Sequence, residues 1–525
     1  MLKMKKMFSF LLLTLLIIAG CSNDSTPGTG STGDTQGTPE KGGQLNVAIN
    51  TQPATLDPHM STATILTEVS RHIFEQIVAL DSAYQVQPML AESIDESDDG
   101  TTYTFNLRQG VKFHNGKELK AEDVVASLEK WKNISSKAKT VIPDATFTEI
   151  DEYTVEMKIP KRIYGVLTLL ADNGQAAGIM PKEIAESAGP TGATEYIGTG
   201  PFKFAEWKQD QYIRLTKNEE YASLETPSDG LSGKKEVLVD DIYLHIVSDA
   251  STRVAGIQSG QYDIALTLPP DNFQMLSNNP NLKIEMALKG NVGFIYNKTD
   301  RVFANEKMRQ AFNAALDTES IMLAAFSDEA FYRINPGYML QEQEEWASEV
   351  GNDRYNVKDP ELAKQLLQEA GYNGETIKIL ATREYEYMYN SAVVIKELMK
   401  EVGVNVEIEV VDWATLLDLR SDPTKFDAFI TGFPLVMTPP QLLYLSPNWP
   451  GWTNDEEITQ LIAQLNASAT SEEAKATWDQ LQDRMYDYLP ISKLGDYYEY
   501  YGVSNTVNGM TIFDGMILWN TSKAK

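Results

Sequence analysis

The chain has 525 residues, with 74 acidic and 45 basic side chains, a formal net charge of −29, four histidines and one cysteine. A surface this acidic repels nucleic acid and anionic lipid headgroups, so neither is an expected partner. One thiol can form no internal disulfide and no cysteine-based zinc cluster, and the length allows two or three domains with a large core.

The first element is a basic start, Lys3, Lys5 and Lys6, running into an apolar stretch from Met7 to Ala19. That is the pattern of an export signal, and the stretch is shorter than the about 20 residues a membrane span takes. Ile18, Ala19 and Gly20 lead directly into Cys21. These residues resemble the lipobox of bacterial lipoproteins, which implies that residues 1–20 are a removed signal and that Cys21 is the acylated, palmitate-bearing first residue. Residues 21–42 are Ser, Thr, Gly and Pro with almost nothing apolar, the composition of a flexible tether. Gly28, Gly30 and Gly33 fall in a GxGxxG pattern there, but no strand precedes it and no helix follows, so it is not a dinucleotide site.

From Gly43 strand and helix patterns alternate. "GQLNVAI" reads as a strand, and "TYTFNLRQGVKFHNGKEL" (102–119) as two strands around Gln109-Gly110 with a tight turn at Asn115-Gly116. A helix follows from Ala121 to Trp131, with Val124, Leu128 and Trp131 on one face. Between Asp359 and Phe433 the order is sharper. Asp359-Pro360 is an N-cap with proline at N1, and Gly371 ends that helix. Next come a strand (377–381), a helix (389–402, stopped by Gly403), a strand (404–411), a helix (413–420) and a strand (427–431). Strands separated by single helices imply an α/β class with a parallel sheet, whose ligands bind beyond the carboxyl ends of the strands.

Catalytic patterns are missing. His59, His72, His114 and His245 have no HxH, HxxH or HExxH spacing, and there is no GxSxG elbow or Walker GxxxxGK[ST] motif. No metal, cofactor or catalytic residue is expected. An enzyme is not excluded by this, since carboxylate pairs are set in space.

Five stretches in order, "GGQLNVAINTQPATLDPHMS" (42–61), "PMLAESIDESDDGTTYTFNLRQGVKFHNGKELKAEDVVASLEKW" (88–131), "GTGPFKF" (198–204), "VAGIQSGQYDIA" (254–265) and "GFIYNKTDRVFANEKMRQAFNAALD" (293–317), resemble the family 5 extracellular solute-binding proteins of bacterial ABC importers. The resemblance implies a periplasmic-binding-protein fold (type II, cluster C). Lobe one would take 43–288 and 496–525, with an extra subdomain at about 85–195, and lobe two 289–495. It implies a non-enzymatic, monomeric receptor, lipid-anchored on the extracytoplasmic face of the cell membrane. The receptor would close on a peptide or peptide-like solute and hand it to the permease subunits. The alternatives are a neutral solute such as an oligosaccharide, for which Trp413, Trp449 and Trp452 could be stacking platforms, and, in another class, a secreted lipid-anchored hydrolase. Uptake of nickel or haem would need a histidine at the cleft.

By the same resemblance Thr62 and Thr64, in the loop after "LDPH", stand at ligand-contact positions, as do Trp413, Arg420 and Phe433. Where family members carry an aspartate that pairs with a peptide's ammonium, this chain has Val436. A buried ammonium without a carboxylate costs several kcal/mol, so a free amino terminus should not be required at that point.

Overall fold

The computed structural model describes residues 41–299 and 301–524. The expected signal, Cys21 and the tether up to residue 40 lie outside them. Among the described residues no helix is long and apolar enough to cross a membrane.

The backbone of the fold is an eleven-stranded sheet, and its middle is an antiparallel pair of long strands, Leu282–Tyr296 and Ile491–Ser504. On one side the pair continues through Ile264–Ala265, Gln44–Ile49, Asp241–Ile246, Tyr212–Lys217 and Phe202–Lys208; on the other through Ala428–Pro434, Ile377–Ala381 and Val406–Val410. The short strand Tyr332–Arg333 adds to the side of Ile491–Ser504. Each long strand therefore serves two cores. Leu282–Tyr296 gives Ala287 to the first and Val292, Phe294 and Tyr296 to the second, while Ile491–Ser504 gives Val503 and Leu494 in the same way. Full burial of such side chains stabilises by roughly 1.5–3 kcal/mol each. The ladder between the two strands changes register at Leu288/Gly290 and Val292/Gly293. Gly290 has φ +149, and a Cβ on it would lie 1.8 Å from the Phe433 carbonyl oxygen, so only glycine fits this crossing point.

The first half carries a smaller four-stranded antiparallel sheet, Ala91–Glu96, Thr102–Leu107, Thr154–Lys158 and Thr146–Asp151. The helix Ala121–Ile134 packs Val124, Leu128 and Trp131 onto it, the face the periodicity predicts. One expectation in this region fails. Only Thr102–Leu107 is a strand; after Gly110 turns the chain at φ +76, the stretch 111–119 keeps a single bridge, Lys112 to Glu118. Both edges of Thr102–Leu107 are already taken by Ala91–Glu96 and Thr154–Lys158, which leaves no ladder for a second hairpin strand.

In the second half the expected alternation is present. Asp359 caps Pro360–Ala370 through Glu361 and Leu362 N–H groups, and Gly371 ends it at φ +75. Ile377–Ala381 is parallel to both Val406–Val410 and Ala428–Pro434. Ile377, Ile379 and Ala381 point into one core and Leu380 into the other, as a strand covered on both faces requires. The molecule is thus an α/β protein of two lobes, of the periplasmic-binding-protein type.

Candidate functional site

Three parallel strands end on the same edge of the second half, and the segments that leave them carry most of the chemistry. After Ile377–Ala381 come Arg383 and Tyr385; Trp413 follows Val406–Val410, and Val436 follows Ala428–Pro434. This is where a doubly wound sheet presents its ligand. Asp412 accepts from the Thr415 N–H at 2.9 Å and caps the helix Trp413–Leu419, while the Trp413 N–H donates to Glu384 at 3.1 Å. Tyr385, exposed, sets its ring edge-on to Trp413 at 5.0 Å.

Arg420 ends that helix, and its guanidinium lies 5.8 Å from the Trp413 ring, 5.6 Å from Phe429 and 5.7 Å from Trp449. Each ring face attracts the cation. No carboxylate pairs with it among the described residues, and burial alone lowers its pKa. Arg383 is likewise outside any ion pair among the described residues; it lies 3.7 Å from the Tyr389 ring centroid and is exposed. Tyr387 and Tyr497 stack at 5.9 Å, and both hydroxyls converge on Gly432, where a Cβ would sit 2.7 Å from one and 3.4 Å from the other. Burial raises the pKa of both phenols, so they are neutral donors.

Of the residues singled out from the sequence, Trp413 and Arg420 meet here. Phe433 is turned into the core against Tyr444 at 5.0 Å and Trp449 at 5.5 Å. Val436 is half-buried, and its carbonyl accepts from Gln343 Nε2 at 2.7 Å. Trp449 belongs to the Arg420 cage, whereas Trp452 packs on Phe426 at 6.0 Å. Thr62 and Thr64 are exposed on the first half, where Thr64 opens the helix Thr64–Ser70. Just past that helix, Arg71 donates to the carbonyls of Phe513 (2.9 Å) and Asp514. Asp514 is left-handed at φ +47, and its carboxyl pKa is raised by burial and by Asp172 and Glu68, against the pull of Arg71. Arg383, Tyr385, Tyr387 and Tyr497 were not singled out; the signal for the first three was their place in the loop and helix start beyond a parallel strand.

The four histidines are all engaged within the protein. His59 bonds the Gly178 carbonyl at 2.8 Å and Lys130 at 3.1 Å, His72 accepts from the Leu518 N–H at 3.1 Å, His114 bonds the Gly200 carbonyl at 3.0 Å, and His245 bonds Asn46 at 3.1 Å. Among the described residues no group of three or more His, Cys, Asp or Glu is placed to hold a metal.

Residues 85–454 match the family described as bacterial extracellular solute-binding proteins, family 5 (middle region). The chain is 29% identical over 499 residues to the probable peptide ABC transporter periplasmic-binding protein y4tO of Sinorhizobium fredii, covering 89% of this chain and 91% of that one. It is 26% identical over 519 residues to the oligopeptide-binding protein AppA of Bacillus subtilis, covering 93% and 92%. The structure of AppA in complex with a nonapeptide superposes with a TM-score of 0.71 at 24% identity, over 93% of this chain and 100% of that one. Strand order, edge and match agree: the chain belongs to family 5 of the bacterial extracellular solute-binding proteins.

Proposed function

We propose that the chain is the receptor of an ABC importer for peptides or peptide-like solutes, and that Arg420 takes a carboxylate of the solute. The observation that carries this is a half-buried guanidinium held among three aromatic rings, with no carboxylate paired to it among the described residues. A charge kept out of water without a partner costs free energy, and a ligand carboxylate supplies the partner. Arg383 and the exposed ring of Tyr385 extend the same surface. The peptide named for the relatives y4tO and AppA fits such a site, and a neutral sugar would leave the guanidinium unpaired.

In this reading the halves are lobes, 43–288 with 496–525 and 289–495, the small sheet being the subdomain at about 85–195. They bend about the long strands, and Thr62 and Thr64 approach the solute from lobe one. Phe433 shapes the site from behind by seating Trp449, and Val436 leaves the amino end of the solute without a charged anchor. The closed, monomeric receptor is presented to the permease from the outer face of the membrane, where acylated Cys21 holds it. The protein acts by binding, and no catalytic step is invoked.

The experiment is calorimetry of the protein with one tetrapeptide pool in free, N-acetylated and C-amidated forms. Binding that survives acetylation and falls on amidation supports the reading. Binding that needs the free amine and tolerates the amide refutes the assignment of both Val436 and Arg420, and binding of neutral oligosaccharides with none of peptides refutes the solute class.

A further inference from the structure

The loop 160–165, between strand Thr154–Lys158 and helix Val166–Ala171 of the small-sheet subdomain, reaches across to the second half. Tyr164 makes three contacts there. Its N–H donates to the Asn466 carbonyl at 2.8 Å, its ring stands edge-on to Trp346 at 5.9 Å, and its O–H donates to Glu345. The next residue, Gly165, is left-handed at φ +77; a Cβ on it would lie 3.0 Å from the Thr438 γ-methyl and 4.0 Å from the Thr438 Cβ. Met437, from the second half, is buried in the subdomain's own core together with Val166 and Leu169. One short segment thus engages three separated stretches of the other half, around 345, 438 and 466. None of these residues belongs to the surface proposed for the solute.

Glu345 is half-buried, and among the described residues its only hydrogen-bond donor is the Tyr164 phenol, with no cation beside it. Burial raises its pKa and the tyrosine opposes that rise. A carboxylate in this position depends on its single donor, because a buried acceptor left unpaired is costly while the pair itself is charge-assisted.

We infer that Tyr164 is a latch: by giving its N–H and O–H to Asn466 and Glu345 it holds the subdomain to the second half in the closed form, and so sets how long a solute is retained without touching it. The inference rests on the reading that the halves open and close. If they do, every opening breaks these contacts and exposes Glu345 to water, and the latch adds to whatever the solute contributes.

The test uses the full chain in a C21S background, so that G165C and T438C supply the only thiols. Their Cβ spacing of 4.0 Å lies within the range a disulfide spans. The rate of cross-linking by a mild oxidant reports the closed population of the solute-free protein. Small-angle scattering of the reduced and cross-linked forms reports whether the halves move at all. The expected result is a smaller radius for the cross-linked form, cross-linking slowed about tenfold by Y164F, and recovery of most of that rate when E345Q is added, since the stranded acceptor is then neutral. The strain of a cysteine at Gly165 is common to all arms and cancels. Equal radii for both forms would mean a permanent contact and would overturn the closure reading together with the latch. A changed radius with Y164F cross-linking at the parental rate, and an unchanged urea midpoint showing the variant folded, would overturn the latch alone.

Discussion

Replacing Arg420 by methionine removes a charge and little else. The apolar body of the side chain can still lie on Trp413 and Trp449, 5.8 and 5.7 Å from the present guanidinium, while the cation–π attraction, about 0.5–1 kcal/mol per ring at this exposure, is lost. If the guanidinium takes a solute carboxylate, the charge-assisted contact contributes about 1.5–3 kcal/mol, or roughly 10- to 150-fold in affinity. The assay is a thermodynamic cycle by calorimetry: wild type and R420M, each against the free and the C-amidated form of one tetrapeptide pool. Amidation should weaken wild type by that factor. It should leave R420M unchanged or tighten it, because the free carboxylate then enters a site with no cation. A coupling of about 2 kcal/mol between residue and ligand group is expected. Running R383M alongside decides whether Arg420 or Arg383 carries the coupling. Amidation acting equally on wild type and R420M would refute the reasoning, however much affinity R420M had lost.

Three further outcomes are expected. G290A should destabilise the protein by about 2–3 kcal/mol in urea unfolding, because its Cβ would meet the Phe433 carbonyl at 1.8 Å in a backbone conformation side chains avoid; a change under about 0.5 kcal/mol would contradict this. Burial, aided by Lys130 at His59 and Arg71 at His72, holds His59 down to about 4, His72 to about 3 and His114 to about 4, against 6.5 in the unfolded chain. These imidazoles are neutral when folded, so their contribution is complete above pH 6.5 and is lost as pH falls toward their folded values, about 2 kcal/mol each by pH 5. Urea midpoints at pH 7.5 and 5 should differ accordingly, and by about a third less in H72L; an H72L difference as large as that of wild type would sink the assignment. V436D should create a preference for free over N-acetylated peptide of about tenfold or more, through a new ammonium–carboxylate pair; equal affinities would mean that the amino end lies elsewhere.

The second half was the more legible part of the fold, for local reasons. Asp359, Pro360 and Gly371 mark a helix by chemistry that acts within one turn of its ends, and the structure uses each as read. The sequence pattern starts the next helix at residue 389, whereas it begins at Glu386, because Tyr385 at its N-cap makes no side-chain cap bond and so leaves no mark in the sequence. The supposed hairpin at 102–119 failed because strand pairing is decided by distant partners, here Ala91–Glu96 and Thr154–Lys158. The long strand Leu282–Tyr296 was not recognisable as one element. It leaves one core for another midway, and Lys283, Glu285, Lys289 and Asn291 interrupt its apolar pattern. For the site, Trp413 and Arg420 came from resemblance, since a lone arginine on a helix reads as a solvated one until three rings are seen around it. Tyr164 and Glu345, 181 positions apart, could be joined only in three dimensions.

The two long strands also constrain how the protein can work. They form one hydrogen-bonded ladder from Leu282 and Ser504 to Ile295 and Ile491, so the halves cannot separate by breaking it without losing several backbone bonds at once. If the halves close, closure has to be a bend, and bending is cheapest where pairing is already irregular, at Leu288/Gly290 and Val292/Gly293. In the proposed reading the balance between open and closed is set by contacts at the margin of the halves: the solute at the carboxyl edge, and the segment around Tyr164. A solute shifts that balance only by the difference in its affinity for the two states. If Tyr164 acts as proposed, a latch that biases the protein toward closing would let a ligand read through few strong groups be held as firmly as one read through many.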